Sequence, residues 1–581
     1  MPRRSIVGMV LAFALVAGCG KGPGSSGNSG GGASANPAAT LEFKDERKER
    51  GIDFFFQAGR TGKRWMPEQL GGGGAFFDCD GDHDLDLLLV NGGPLPGSDD
   101  RAPNALFSND GRGWFTKVAG AGGLGGGRDY GVGCAVADVD IDGDIDVFIT
   151  NWGPNRLYLN DGKGRFTDAT EGSGIVGAAW SASAVFGDID GDQLPDLYVT
   201  NYLDYDITKH KPCYQRQYEV YCGPQPYAGV ADRLYKNLGG GRFEDRTAKA
   251  FNETTAGKGL ACAMCDFDHD GDLDIYVAND QTPNFLWQND GKGSFANIAD
   301  LAGCASSKDA AMQAGMGVAF ADLDNDLFED IVVTNFEDQV NSVYRNTGDG
   351  FFEESSYQAG IGYESRPNLG WGVAAVDFDL DGWKDLMFSN GHIYDNADVL
   401  REGSKWAQRK CLHLNLTGGK FGTSVGTGGP ALAVERVGRG LLWADIDDDG
   451  DIDVLVSNIE DVPDLLVNGR NGGNAVRVAP VHPKAKTPLY GARVEIDCGG
   501  KKQSQSCQGS SSYLASNDPR VHFGLGEAKA VDKLTVHWLG GSKTSFGPVP
   551  AGCEAIVSPG QPALLVDIKT RAEKGRLEPI E

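Results

Sequence analysis

The chain has 581 residues, with 81 acidic against 53 basic side chains and a formal charge of −28 at pH 7. That balance argues against a nucleic acid partner, because phosphates are neutralised by clustered Lys and Arg. Glycine fills 85 positions, twice the usual ~7%, yet 40% of the residues are hydrophobic, which excludes a disordered acidic tail and leaves a folded, turn-rich body.

Residues 1–18 read as a lipoprotein signal peptide. Arg3 and Arg4 precede an apolar run from Ile6 to Ala17, which as a helix covers ~18 Å of a ~30 Å hydrocarbon core and so does not span it. The string VAGC at Val16 to Cys19 resembles the bacterial lipobox, which makes Cys19 the lipidated first residue of the mature chain. Gly20 after it implies sorting to the outer membrane. Residues 19–40 are nearly all small and polar, the composition of a flexible tether. Twelve cysteines agree with an oxidising compartment. Cys213/Cys222 and Cys498/Cys507 are close enough in sequence to close short loops, whereas Cys262/Cys265, a C-x-x-C without βαβ context, reads as structural.

From residue 71 onward a strand, an aspartate-rich loop, a second strand and an Asn recur seven times, 50–78 residues apart, a propeller-like period. Each loop carries carboxylates at positions 1, 3, 5 and 9. Loop 1 has Asp78, Asp80, Asp82 and Asp86; loop 2 has Asp138, Asp140, Asp142 and Asp146; loop 3 has Asp188, Asp190, Asp192 and Asp196. Loop 4 has Asp266, Asp268, Asp270 and Asp274, and loop 5 has Asp322, Asp324, Asp326 and Asp330. Loop 6 has Asp377, Asp379, Asp381 and Asp385, and loop 7 has Asp445, Asp447, Asp449 and Asp453. Between loops lies a hairpin signature such as NRLYLNDGKGRFTDAT (Asn155 to Thr170), in which an N-x-G-x-G turn joins two strands. Four strands per repeat and seven repeats predict an all-β fold, a seven-bladed β-propeller over 41–470. The last repeat lacks its final strand, and FKDERKERGI (Phe43 to Ile52) resembles that missing copy, so the N-terminal strand is expected to complete the last blade.

Alternate side chains of such a turn converge on one point, and position 7 adds a backbone carbonyl, as in calcium loops of the EF-hand type. Carboxylates ~4 Å apart repel by roughly 4 kcal/mol per pair at an effective dielectric of 20. A hard dication relieves this; all-oxygen ligation selects Ca²⁺ over Zn²⁺ or Cu²⁺, and a full carboxylate cage suits Ca²⁺ better than Mg²⁺, which keeps its water. The cofactor expected is therefore Ca²⁺ in up to seven sites, in a structural role. Position 6 needs a sharp turn: Gly143, Gly271, Gly382 and Gly450 supply it, while His83, Gln193 and Leu327 do not, so loops 188–196 and 322–330 are expected to be weakest.

These loops look like the FG-GAP and VCBS repeats of integrin alpha subunits and secreted bacterial proteins. GARVEIDCGG (Gly491 to Gly500), GSSSYLASNDPRVHFGLGEA (Gly509 to Ala528) and VDKLTVHWLGG (Val531 to Gly541) resemble the ASPIC/UnbV domain of the cartilage acidic protein family. RWMPEQLGGGGAFFDCDGDHDLDL resembles that family's first repeat. The resemblance covers residue 41 to about 560 and implies a calcium-binding extracellular propeller without a settled biochemical activity. Residues 471–560 are accordingly expected to form a small β-rich ASPIC/UnbV-like domain, with 561–581 as a C-terminal tail.

Catalytic patterns are sparse. Gly422 to Gly426 matches G-x-S-x-G without the strand-to-helix context of a nucleophile elbow, and Gly120 to Gly125 matches G-x-G-x-x-G without opening a helix. His392 in SNGHIY lies just past a blade-six strand, and the insertion Tyr202 to Tyr227 places Tyr205, Tyr214, Tyr218 and Tyr221 around Cys213/Cys222 as a recognition surface. The reading is a non-enzymatic, calcium-binding, extracytoplasmic lipoprotein of the cell surface or periplasm, an adhesion-type module for an extracellular protein or glycan. The alternative is an enzyme acting on carbohydrate or another small substrate through the central funnel.

Overall fold

Strands closest to the propeller axis are made of small and β-branched residues because they are covered on every side. Tyr130–Ala137 (YGVGCAVA), Ser181–Gly187 (SASAVFG) and Gly438–Ala444 (GRGLLWA) are buried at each position. Outermost strands such as Phe115–Lys117 and Phe166–Asp168 bury only their first residue and expose the next two. The computed structural model describes residues 41–96, 102–126, 129–251, 255–470 and 473–580. The signal segment, the tether and Cys19 lie outside them.

The chain forms a β-propeller. Among the described residues seven antiparallel sheets each carry one acidic loop between first and second strands, most with four strands in sequential order. Phe43–Asp45 adds to the last of these sheets, pairing antiparallel with Asp464–Asn468 (Phe43↔Asn468, Asp45↔Leu466), as the orphan-strand reading expects. Adjacent sheets pack face to face. Phe77, Leu88, Leu106, Val136, Val147 and Phe166 fill one such interface, and each large apolar side chain buried there stabilises by about 1.5–3 kcal/mol.

A ring of asparagines ties sheet to sheet. Asn109, Asn160, Asn237, Asn289, Asn346, Asn415 and Asn468 stand at or just past the end of the third strands, where the sequence shows only an N-x-G-x-G turn. Each donates its side-chain Nδ2 to the carbonyl of loop position 2 in the preceding sheet, namely Ile446, Cys79, Val139, Ile189, Phe267, Leu323 and Phe378, at 2.8–3.0 Å. The bond from Asn109 back to Ile446 joins the first sheet to the last.

The C-terminal domain is a sandwich. A five-stranded sheet (521–526, 474–480, 553–557, 563–567, 573–577) faces a four-stranded one (501–506, 493–498, 533–537, 543–546) across Val476, Val494, Phe523 and Val536. Residues 561–581, expected as a tail, instead supply two of these strands: Ala563–Asp567 pairs with Cys553–Val557 and with Glu573–Leu577. The Cys213–Cys222 disulfide is formed, with Cα atoms 5.2 Å apart. Cys498 and Cys507 are not bridged. Their hairpin pairs Cys498 with Lys501 and Arg493 with Ser506, so the two thiols lie at opposite ends of it, and they contact the carbonyls of Ala530 and Pro519 respectively. Cys262 and Cys265 are buried free thiols on one inner strand.

The domain rests on the propeller face that carries the acidic loops. Thr487 Oγ1 donates to Asp138 (3.0 Å), Ser506 Oγ to Glu329 (2.7 Å), and the Gly540 and Gly526 amides to the Gly271 and Leu380 carbonyls (both 2.8 Å). From it the segment Ser510–Asn517 runs into the axis. Ala515 and Ser516 pair with Gly74 and Ala75, Ser512 bridges Val318, and Val373 N donates to Ser512 Oγ at 2.9 Å. Leu514 N reaches Ser183 Oγ (3.3 Å), and Asn517 Oδ1 accepts from Trp443 N (3.1 Å). Glycine on the inner strands makes room for this segment: a Cβ on Gly73 would lie 2.5 Å from the Leu514 carbonyl, and one on Gly133 3.0 Å from the Leu514 side chain.

Candidate metal centres

Each loop closes on its own backbone. The position-1 carboxylate accepts backbone N–H bonds from inside the turn, such as His83 to Asp78 (2.9 Å) and Gly382 to Asp377 (2.8 Å). The position-5 carboxylate accepts from the amide of position 7 in every loop, at 2.9–3.2 Å. The position-9 aspartate joins loop to sheet: its Oδ1 accepts from the backbone N of the ring asparagine in all seven sheets, at 2.6–2.9 Å.

This turn requires two left-handed residues, at positions 4 and 6. Position 6 is left-handed at Gly143, Gly271, Gly382 and Gly450, as expected, and also at His83, Gln193 and Leu327 (φ 75°, 67° and 81°). Position 4 is left-handed throughout, at Gly81, Ile141, Gly191, His269, Asn325, Leu380 and Asp448, a requirement hidden in the sequence because only loops 1 and 3 put glycine there. Loop 5 has glycine at neither. Because a left-handed non-glycine residue costs roughly 1 kcal/mol or more and the Gln193 side chain is exposed, Gln193→Gly is expected to raise stability by about 0.5 kcal/mol after the added chain entropy, as read from denaturant midpoints.

Carboxylate oxygens converge in these loops. In loops 1, 2 and 4 one oxygen each from positions 1, 3 and 9 (Asp78, Asp80, Asp86; Asp138, Asp140, Asp146; Asp266, Asp268, Asp274) lie within 4.8 Å of one another. In loops 3 and 5 the group is positions 1, 3 and 5 instead (Asp188, Asp190, Asp192; Asp322, Asp324, Asp326). Oδ1 of the position-3 aspartate is buried without a hydrogen-bond partner in Asp80, Asp140, Asp190, Asp268, Asp324 and Asp379. Buried polar atoms are ordinarily partnered, so a repeated orphan oxygen facing other carboxylates fits a hard cation.

The electrostatics agree. Burial pushes the carboxyls of Asp86, Asp146 and Asp196 up to about 7, 8 and 8. Position 7 adds a carboxylate that the ligand pattern left out: Asp84, Asp272 and Asp451 are raised to about 6, 7 and 9 by burial and by the neighbouring loop aspartates. Loops 1, 2, 4 and 7 have this fifth aspartate, and loops 3, 5 and 6 have Leu194, Phe328 and Trp383.

Two loops hold a cation of their own. Lys236, on the strand following loop 3, ion-pairs with Asp190 and with Asp192 (2.9 Å). Arg345, at the equivalent place after loop 5, pairs with Asp324 and stands 3.7 Å from Asp330. The corresponding residues are Ser108, Leu159 and Gln288 beside loops 1, 2 and 4, and Gln288 donates an amide hydrogen to Asp268 (2.8 Å). Loop 7 meets Arg50 at Asp447 (3.2 Å) and the fully buried Arg477 at Asp445 (3.0 Å) and Asp448 (2.6 Å).

Ser424 of the G-x-S-x-G string and His392 have defined partners. Ser424 Oγ donates to Glu364 (2.8 Å) and accepts from Arg409 (3.1 Å), while His413 Nδ1 faces the Gly422 carbonyl. His392 is buried, with Nδ1 accepting from Tyr394 N (2.9 Å) and Nε2 3.5 Å from Glu337. Of the insertion tyrosines, Tyr205 and Tyr221 are buried, Tyr218 is half-buried and Tyr214 is exposed. No helix among the described residues is long and apolar enough to cross a membrane.

Comparison with known proteins defines the class. A model for FG-GAP-like repeats matches residues 138–199, 219–277, 266–333 and 322–388, and a model for the ASPIC and UnbV domain matches 482–562. The chain is an FG-GAP-repeat propeller protein with a C-terminal ASPIC/UnbV domain. Among its relatives is cartilage acidic protein 1: the Xenopus tropicalis protein is 30% identical over half of this chain, which spans 43% of that protein's length. The Mus musculus protein is 27% identical over 72% of this chain and 71% of its own. A solved Agrocybe aegerita lectin that recognises non-reducing terminal N-acetylglucosamine is similar over 69% of this chain and 90% of its own, at 14% identity and a TM-score of 0.38.

Proposed function

We propose that this protein is a calcium-loaded, seven-bladed propeller, held outside the cytoplasm by a lipid on Cys19 and acting there as a ligand-binding module for an extracellular protein or glycan. The observation that carries the calcium reading is the orphan oxygen of the position-3 aspartate where no Lys or Arg among the described residues is paired to it, as in loops 1, 2, 4 and 6. Loops 1, 2 and 4, with five aspartates and no Lys or Arg paired to them among the described residues, are the strongest sites, and loops 6 and 7 follow, loop 7 because its six aspartates outnumber the two arginines that reach it.

Loops 3 and 5 are read as metal-free, since the tethered charges of Lys236 and Arg345 sit against the carboxylates an ion would use. A side-chain cation is already confined there, whereas an ion must be recruited from solution. The test is calorimetric titration of the full chain with calcium. Lys236→Ala and Arg345→Ala are each expected to raise the stoichiometry by one, while Lys249→Ala on the exposed surface leaves it unchanged. Seven ions bound to the unaltered chain, or no heat of binding at all, would overturn the assignment.

A further inference from the structure

Opposite the acidic loops, the same axis opens into a cavity of about 230 Å³ whose walls include Gln69, Tyr202, Tyr221, Asp280, Trp371 and Tyr394. Apart from Tyr221, which follows the insertion strand Tyr218–Val220, these residues sit on the segment preceding the first sheet, at the start of the blade-six inner strand and just after second strands, which is the end of each hairpin remote from its acidic loop. Gln69 is 3% exposed, yet neither Nε2 nor Oε1 of its side chain has a hydrogen-bond partner. Its backbone is fixed, since the carbonyl accepts from Arg439 Nε at 2.8 Å. A buried amide with both ends free is rare, and it matches a ligand that presents a donor and an acceptor side by side.

The walls restrict that ligand further. Tyr202 and Tyr221 donate their hydroxyls to Asp280 (2.6 Å) and Glu68 (2.9 Å), which locks both rings in the wall of the space. Trp371 is held in place by its Nε1 bond to the Gly391 carbonyl (2.7 Å), by Arg439 stacked 4.0 Å from its ring and by Tyr513 at 4.8 Å. No Lys or Arg is among the lining residues and Asp280 is, so an anion entering the space meets a carboxylate. A quaternary ammonium group would suit the aromatic rings but would leave the Gln69 amide unmatched. A sugar ring has what remains, apolar C–H faces and vicinal hydroxyls. The cavity is smaller than the ~300–1,000 Å³ of sites for drug-sized ligands, which fits one ring. Tyr513 and the rest of Ser510–Asn517 fill the axis beneath, so a polymer cannot thread through and only an end group can enter.

The geometry points to a binding site for the terminal residue of a neutral glycan in this axial cavity, with Gln69 as its hydrogen-bonding residue and the fixed aromatic rings as its platform. This rests on the ligand-binding reading above and is independent of how many loops hold calcium.

The test is a glycan array probed with the full calcium-loaded chain, followed by titration with methyl glycosides of the neutral sugars captured. Neutral, unbranched termini should be retained, and Gln69→Leu, which keeps the side-chain volume, should weaken binding by about ten-fold, the worth of one or two hydrogen bonds. Tyr394→Ala should weaken it as well, while Tyr214→Ala, on the exposed hairpin, should not. Calcium-dependent melting of each variant should match the unaltered chain, which separates loss of the site from loss of the fold. Capture of acidic glycans alone, capture of none, or affinity unmoved within two-fold by Gln69→Leu would overturn the assignment; in the first and third of these outcomes a glycan is still bound, so the ligand-binding reading stands and only the site falls.

Discussion

Stripping calcium from the full chain is expected to lower its melting midpoint by about 6 °C. At a free concentration tenfold above Kd each occupied site contributes ~1.4 kcal/mol, so the five loops read as metal sites together contribute ~7 kcal/mol. That is comparable with the whole net stability of a typical domain, ~5–15 kcal/mol. Magnesium at equal concentration should restore less, because a smaller ion keeps its water and does not gather a full carboxylate cage. Acidification supplies an independent sign. Burial raises Asp86 and Asp146, of loops 1 and 2, to about 7 and 8 in the metal-free fold, against ~3.9 in an unfolded chain. A carboxyl raised on folding costs stability above its folded pKa, and the cost is relieved as pH falls through that value. The metal-free protein should therefore melt higher at pH 6 than at pH 8.5. The calcium-loaded protein should do the opposite, because protons compete with the ion for the same oxygens. Parallel trends in the two forms, measured by scanning calorimetry, would sink the assignment of these loops as cation sites.

Arg477→Ala is expected to cost about 3–5 kcal/mol, the penalty for breaking a fully buried ion pair from one side. Its guanidinium has no exposed surface and joins Asp445 and Asp448 of loop 7 to Glu554 of the C-terminal domain (2.7 Å). Burial works against ionisation of Glu554, yet Arg477, Arg520 and Arg571 hold its carboxyl well below the usual range. Truncation would leave three carboxylates sharing a dry interface with less compensation. Because much of the cost is stranded charge, the double change Arg477→Met with Glu554→Leu should lose less than Arg477→Ala alone. Denaturant midpoints of the two variants decide this: if the double change is the more damaging, the pair itself contributes more than its desolvation removes.

The acidic loops were legible because their chemistry repeats at fixed spacing, so seven copies could be aligned by eye and their four-stranded sheets inferred. Position 6 could be read from four glycines, but position 4 could not, since Ile141, Leu380 and Asp448 adopt the left-handed backbone without advertising it. The tethered cations escaped notice because Lys236 lies 44 residues beyond Asp192, and contact between them depends on how one sheet is folded. Cys498 and Cys507 are the opposite case, near in sequence but carried apart by strand register. The axial segment was least legible of all. Ser510–Asn517 looks like a serine-rich turn, and its partners Gly74, Ser183, Val318, Val373 and Trp443 belong to five different sheets.

The pairing of Phe43–Asp45 with Asp464–Asn468 also sets a timetable. The first strand among the described residues has no partner until more than four hundred further residues have been synthesised, and the central space stays hollow until the segment after residue 509 arrives. A nascent chain of this design cannot finish folding while it is still being translated. The ring closes only when the two ends of the propeller segment meet.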